Sequence, residues 1–411
     1  MRRKLQGAIH QVWPRPPMET KAPGSSTADS GSLATGGPFY RAVRGMGLSE
    51  RRRTINRIVV ALALTWLPLL LMCVEDGTAW GKNVKVPLLH DYSMYARFFV
   101  ALPILLAAEV LIDPFIRRVV SILDSSGIIR EGDLAAFRET LKKVARFRDS
   151  GLAELLLGLV AFFPFFLFVA KYEWISTRFS TWHGTTSGGL SVAGWWFALV
   201  SSPFLRFLML RWVWRYALWC YVLRRLSRLN LALLPTHPDR LGGLGFLLLT
   251  QQQFAILAAA LGSVLAGQFA NEITYFGVPL GQVRGPTGVF IVASVLVILL
   301  PLTLFSFKLF EARRDGLIRY GVVARDVTGK FDTKWIDTSA APPGEMVGTQ
   351  DPSSLIDYIS SYDVIQQMRV IPMSKRTVLY IAAYAAVPFA VVWWLGTPVD
   401  ELIAEIFKRL F

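Results

Sequence analysis

The chain is poor in the residues that carry reactive chemistry. Cysteine occurs twice and histidine four times in 411 residues, and only 18% of positions are Asp, Glu, Lys or Arg, against about 25% in an ordinary soluble domain. Cys73 and Cys220 lie in or beside apolar segments without metal-ligand spacing. They read as reduced, buried thiols, which excludes a disulfide scaffold and a zinc site. His10, His90, His183 and His237 all fall outside the apolar runs, so a haem gripped by two histidines inside a bundle has no ligands. The patterns HExxH, GxSxG and GxxxxGK[ST] do not occur; the helix-borne zinc site, the nucleophile elbow and the phosphate loop go with them. No cofactor is indicated, and a membrane-embedded enzyme would lack both a nucleophile and a metal constellation.

What the chain has in excess is hydrocarbon. Hydrophobic residues make up 53% of it, with 27 Phe and 13 Trp, and mean hydropathy is +0.42. Several runs of roughly 16–24 residues carry one ionisable group or none, enough to cross a ~30 Å hydrocarbon core. The expected fold is all-α: a polytopic transmembrane bundle over residues 51–411, with about seven spans near 58–74, 98–113, 151–170, 194–213, 243–268, 287–310 and 377–395. Met72 is too large for the small residue a lipoprotein cleavage site needs before Cys73, so the first span reads as a retained anchor. Residues 1–50 read as a disordered basic tail, because KAPGSSTADSGSLATGGP has almost no core-forming residues.

The net charge of +15 does not point to nucleic acid. Of the 44 Lys and Arg, 35 lie in residues 1–57, 115–150, 211–242 and 308–376. Basic residues resist translocation and face anionic lipid, so these segments are expected on the cytoplasmic side of a bacterial inner membrane. That places the N-terminus inside and, after seven spans, the C-terminus in the periplasm. The expected partners are a bilayer with an anionic inner leaflet and a cytoplasmic protein.

The cytoplasmic loops 115–150, 211–242 and 308–376 contain helical patterns. In 133–148, Leu134, Phe137, Leu141 and Val144 recur at helical spacing behind a capping Asp133; in 352–371, Leu355, Ile359, Tyr362, Ile365 and Met368 do so behind Asp351-Pro352. Such helices lie on the leaflet, pack on the bundle, or dock a partner. RWVWRYALWCYVLRRLSRLN (211–230) reads as an interfacial belt whose arginines snorkel. Six expected spans contain a proline, namely Pro68, Pro103, Pro164, Pro203, Pro301 or Pro388, and each tends to kink its helix.

Two groups of residues stand out as candidate sites. THPDRLGGLGF (236–246) has the form of a capping box, Thr236 accepting from the Asp239 amide and Asp239 answering Thr236. Gly242 and Gly243 clear side chains where the next helix begins, and Ala255, Ala259, Gly262 and Ala266 continue a small-residue face. His237 and Arg240 are left without a role. His237-Pro238-Asp239 is also the tripeptide of J-domain cochaperones, but a span follows it at once where a J-domain needs a soluble helical hairpin. The second group is intramembrane: Glu109, Glu154, Arg206, Gln251, Gln252 and Gln253 all fall in the cytoplasmic halves of their spans, where ionisable groups face a bundle interior or a wet cavity. They are either a satisfied ion-pair set or a vestibule.

GWWFALVSSPFLRFLMLRWVWR (194–215), THPDRLGGLGF and SSYDVIQQMRVIP (360–372) resemble segments of an uncharacterised group of proteobacterial polytopic inner-membrane proteins carrying THPDxxGGLGF. The resemblance implies that location and a common fold, and carries no catalytic residues over. Two functional readings follow from the residues. One is a small-solute or ion channel or transporter with a polar vestibule open to the cytoplasm. The other is a non-catalytic membrane sensor or scaffold that docks a partner through its amphipathic loop helices.

Overall fold

The computed structural model describes residues 32, 36–38, 50–81, 84–175, 181–185, 189–337 and 349–396, with side chains except at 50–53, 164–175 and 396. It is an all-α bundle; the strands described are Gly184–Thr185 and Gly189–Leu190, one small antiparallel pair. Among the described residues, six helices are long and apolar enough to cross a membrane: Thr54–Glu75, Tyr92–Ser125, Val192–Leu226, Gly245–Phe276, Leu280–Trp335 and Lys375–Leu395. In chain order the helices are α1 (Glu50–Thr65), α2 (Leu67–Glu75), α3 (Tyr92–Ser125), α4 (Glu131–Arg148), α5 (Gly151–Ile175), α6 (Val192–Leu226), α7 (Gly245–Gln253), α8 (Ala255–Phe276), α9 (Leu280–Leu299), α10 (Ser306–Trp335), α11 (Asp351–Gln366), α12 (Lys375–Ala386) and α13 (Ala390–Gly396). The remaining expected span, 151–170, coincides with α5.

Large apolar side chains stand on the surface of the bundle. Val60, Leu71, Leu155, Leu159, Val289, Val292, Leu296 and Leu379 are all exposed. Water would drive such residues inward; a hydrocarbon solvent leaves them out. This is a multi-pass membrane protein.

Five of the six span prolines sit at a break in helical regularity. A proline has no N–H to give, and its ring crowds the carbonyl four residues back. Pro68 stands in the first turn of α2, just past the break that separates it from α1. Pro103 and Pro203 each follow a wide π turn, Tyr95–Ala101 and Phe197–Ser201. Pro301 and Pro388 lie in the tight 3-10 turns Leu300–Phe305 and Val387–Phe389. The sixth, Pro164, is in the part of α5 whose side chains are not described.

At the centre is α8. Its buried residues include Ala255, Ala258, Ala260, Gly262, Ala266, Gly267 and Ala270. Small side chains let backbones approach, which drives helix association where the solvent is as apolar as leucine. At Gly267 a Cβ would stand 2.5 Å from the Ala96 Cβ and 3.0 Å from the Ser93 Cα, so α3 and α8 meet there backbone to backbone.

The loop helices form as expected, but their capping differs. α4 starts at Glu131, and Asp133 accepts instead from the Asn230 amide at 2.7 Å, tying α4 to the loop beyond α6. Phe137, Leu141 and Val144 are buried against α6. α11 starts at Asp351 itself. That carboxylate takes bonds from the Lys334 Nζ (2.5 Å) and Trp335 Nε1 (3.0 Å) of α10 rather than from its own first turn. The helix ends at Gln366, short of the expected 371, and beyond it the Arg369 amide donates to the Arg240 carbonyl instead of continuing the helix. α11 packs on α10, which continues the Leu280–Trp335 span as a 30-residue helix.

Gly267→Leu is expected to lower the thermal unfolding midpoint of the detergent-purified protein by several degrees, the overpacking costing about 1–3 kcal/mol. Gly281→Leu, where a Cβ meets nothing within 4 Å, should leave it unchanged.

Candidate functional site

The intramembrane charges divide into a closed network and a set of separate contacts. Glu109 of α3 is buried at its heart. Its Oε1 accepts from Arg211 Nη1 at 2.8 Å and Arg215 Nη1 at 2.9 Å, and its Oε2 from Arg57 Nη1 at 3.0 Å. Arg211 and Arg215 are one turn apart on α6, so both face the same carboxylate. Glu154 of α5 lies 3.5 Å from Arg211 Nε. The expectation that Arg211 and Arg215 snorkel is therefore corrected. They turn inward, because an unpaired carboxylate inside the bundle costs more than their own desolvation once all are joined. Arg224, Arg225 and Arg228 are exposed.

The network extends to the N-terminal segment. Ser32 is buried; its Oγ donates to Asp113 Oδ1 at 2.7 Å, and its carbonyl accepts from Arg148. The Gly37 amide donates to Asp149 at 2.9 Å and the Gly36 carbonyl accepts from Arg211 at 3.3 Å. Of the expected tail 1–50, only residues 32, 36–38 and 50 are among those described, and Ser32, Gly36 and Gly37 rest on this network. Arg117 completes it, 2.5 Å from Asp113. Arg57, Asp113, Arg148 and Asp149 were not expected members. The legible signal was the i, i+4 pair Arg211/Arg215 opposite a lone glutamate, which calls for charge closure.

The remaining members of the expected group lie elsewhere. Arg206 donates to the Ala161 carbonyl at 3.4 Å, apart from the Glu109 network. Gln251 is fully buried and joins three segments: it accepts from Trp219 Nε1 at 2.9 Å, donates to Tyr216 Oη at 3.0 Å, and donates to the Ile298 carbonyl. Gln252 donates to Thr377 Oγ1 at 2.7 Å, beside the N-cap of α12, and Gln253 turns back to the Leu249 carbonyl. Three neighbouring glutamines thus face three directions, as the 100° step of a helix requires. An apolar cavity of about 310 Å³ lies between α6, α8 and α9, lined by Trp212, Tyr216, Leu257, Phe290 and Val297 among others; neither Glu109, Glu154 nor Gln252 lines it.

The THPDR loop is a joint, built differently from a capping box. Asp239 accepts from the Leu241 (2.8 Å), Gly243 (3.1 Å) and Gly245 (2.8 Å) amides, and His237 Nδ1 stands 2.9 Å from its Oδ1. The Asp239 amide points to His237 Nδ1 at 3.3 Å rather than to Thr236. The reason is the turn: Arg240, Gly242 and Gly243 all have positive φ (57°, 65° and 96°), which wraps three alternate amides, those of residues 241, 243 and 245, around one carboxylate. Burial pushes the Asp239 carboxyl up, but those amides outweigh it and hold it below the usual range. The joint also carries the root of the α10–α11 pair. The Arg240 carbonyl accepts from the Arg369 amide at 2.8 Å, a Cβ on Gly242 would touch Met368, and Pro235 packs on Gly316 of α10. Two of the three segments singled out in the sequence, 236–246 and 360–372, therefore meet. Among the described residues no group of three His, Cys, Asp or Glu is placed to hold a metal.

Glu109→Gln is expected to destabilise the protein by about 3–5 kcal/mol, since buried arginines lose their counter-charge, whereas Gln253→Ala should be nearly neutral; thermal unfolding in detergent reads both. Asp239→Asn should cost about 1–2 kcal/mol near neutral pH. A carboxylate whose folded pKa is lowered stabilises above its unfolded value and loses that contribution as pH falls through the folded one. The gap between wild type and Asp239→Asn should therefore be constant above about pH 5 and shrink on further acidification.

No family model matches the chain, and neither a curated protein nor a solved structure matches it.

Proposed function

We propose that this is a non-catalytic sensor or scaffold of the bacterial inner membrane, with its N-terminus in the cytoplasm, that docks a cytoplasmic protein through the α10–α11 pair. The observation that carries this reading is the shape of that pair. α10 runs for 30 residues, about 45 Å of helix, and packs chiefly on α11. Ile318, Val322, Ile356 and Ile359 are 62%, 69%, 62% and 55% exposed, at i, i+4 and i, i+3 spacings that make apolar stripes. The pair is charge-complementary within itself, α10 basic and α11 acidic, which leaves the stripes for a partner helix. Its root is held by the Asp239 joint, so a shift in the bundle reaches the pair through bonded backbone.

The vestibule of a channel or transporter draws less support. Glu109 is closed by three arginines and Gln251 by three bonds, and neither offers a free polar surface to a solute. α4, the other loop helix, spends its apolar face on α6 and adds nothing to the docking surface.

A photo-crosslinking residue at Ile356 in cells should give a discrete protein adduct that Ile359→Asp abolishes. Adducts with lipid alone would mean that the pair lies on the leaflet, and the docking reading would fall. Orientation has its own test: cysteines introduced at His183 and Ser353 should label from opposite sides of the membrane, and labelling of both from one side would refute the assignment.

A further inference from the structure

The apolar cavity between α6, α8 and α9 has side-chain walls that give a ligand nothing to bond. Trp212, Ala258 and Ile298 stand buried around it, with Leu105 of α3. Its polar side chains are already occupied. Trp212 Nε1 donates to the Leu105 carbonyl at 2.8 Å, the Tyr216 hydroxyl to the Val297 carbonyl at 2.7 Å, and the Ser294 hydroxyl to the Phe290 carbonyl at 2.7 Å. An apolar cavity of about 150 Å³ excludes water and takes up benzene; one of about 310 Å³ has room for a longer hydrocarbon. Walls without atoms across from them forgo dispersion contacts, so such a space favours an apolar filling.

The mouth of the cavity opens on the lipid-facing flank. Val213 of α6, Leu261 of α8, and Ala293 and Val297 of α9 line it and are themselves exposed, and all four lie within spans. From this mouth α6 leads to an arginine. Arg224 comes eleven residues after Val213, close to three full turns, so the two share a face about 16 Å apart along the axis. Between them Ala217 is exposed and offers only a methyl group. The turn Leu300–Phe305 packs beside α6 and leaves Leu300 and Leu304 exposed. Arg224 is exposed and has no ion-pair partner among the described residues. The chains of one leaflet cover half of a ~30 Å hydrocarbon core, about 15 Å, which matches the gap from arginine to mouth. A guanidinium fork also fits the oxygens of a phosphate.

We propose that the cavity holds the distal part of one acyl chain of a phospholipid whose phosphate sits on Arg224. This does not rest on the docking reading. The two features point to one occupant: the cavity accepts only hydrocarbon, and the arginine one leaflet's depth away accepts the anionic headgroup.

The test uses the full chain purified in a mild detergent, with native mass spectrometry following retained phospholipid as washing is extended. Wild type is expected to keep one phospholipid per chain after bulk lipid is gone. Ala293→Phe sets a ring across the mouth at an exposed position and should lower retention roughly tenfold. Arg224→Gln should lower it about fivefold, and Arg325→Gln, at an exposed position of α10, should leave it unchanged. A phospholipid with a diazirine near the end of its acyl chain needs no variant: its adducts are expected on Trp212, Leu261 or Val297. The proposal is overturned if wild type retains no phospholipid, if Ala293→Phe retains as much as wild type, if Arg224→Gln and Arg325→Gln behave alike, or if the adducts all lie outside the cavity. Retention of an apolar molecule without a phosphate, or a lipid-free dimer, would overturn it too.

Discussion

The Glu109 carboxylate, taking hydrogen bonds from Arg57, Arg211 and Arg215 inside an apolar bundle, is the interaction on which the rest of the structure leans. Each of these charges would be costly to bury alone, and together they are tolerable because every one is bonded. The geometry suits arginine in particular: a flat, forked donor satisfies a carboxylate edge and keeps its charge in an apolar setting. One glutamate thus pins three spans to each other. It also gives residues 32, 36 and 37 their place at that end of the bundle. Ser32, Gly36 and Gly37 supply the carbonyls and the amide that the outer arginines and Asp149 still require.

The other half of the bundle is held by a different force. α8 brings almost no charge to its contacts. It relies on glycine and alanine to let α3, α9 and α12 close in, and on Gln251 and Gln252, just before it on α7, to bond across to neighbouring helices. A polar clip and a small-residue face are the two ways helices associate when the solvent offers no hydrophobic drive. The joint at Asp239 stands between these regions and the α10–α11 pair. Its carboxylate bonds three amides of its own loop, and the Arg240 carbonyl it helps to position bonds the chain that leaves α11.

Near Glu109 the protein neutralises itself, and such a network holds shape. The exposed apolar stripes of α10 and α11 are an unfinished surface, one that only another protein or the leaflet completes. Function is sought where the chain does not satisfy itself, which is why the closed Glu109 network, for all its charge, is read as architecture.

Much of the fold was legible along the chain because each signal is local. Apolar length gave the spans, helical spacing gave α4 and α11, and proline gave the breaks at residues 68, 103, 203, 301 and 388, since a missing N–H acts on its own helix whatever surrounds it. The candidate site was legible only in part. Glu109 and Glu154 could be named from depth, but depth is one coordinate, and it grouped with them Arg206 and three glutamines that point elsewhere. Which arginine meets which carboxylate depends on helix rotation and on which spans are neighbours, and neither is written in any single segment. The same holds for Asp133, Asp239 and Asp351, each expected to serve at a helix start and each bonded to something other than the cap its position suggests. Sequence by itself determined the solvent, the helices and their interruptions, because these follow from the chemistry of consecutive residues. Tertiary structure alone decided which charges meet, because those pairs form between side chains far apart in the chain and adjacent only once it has folded.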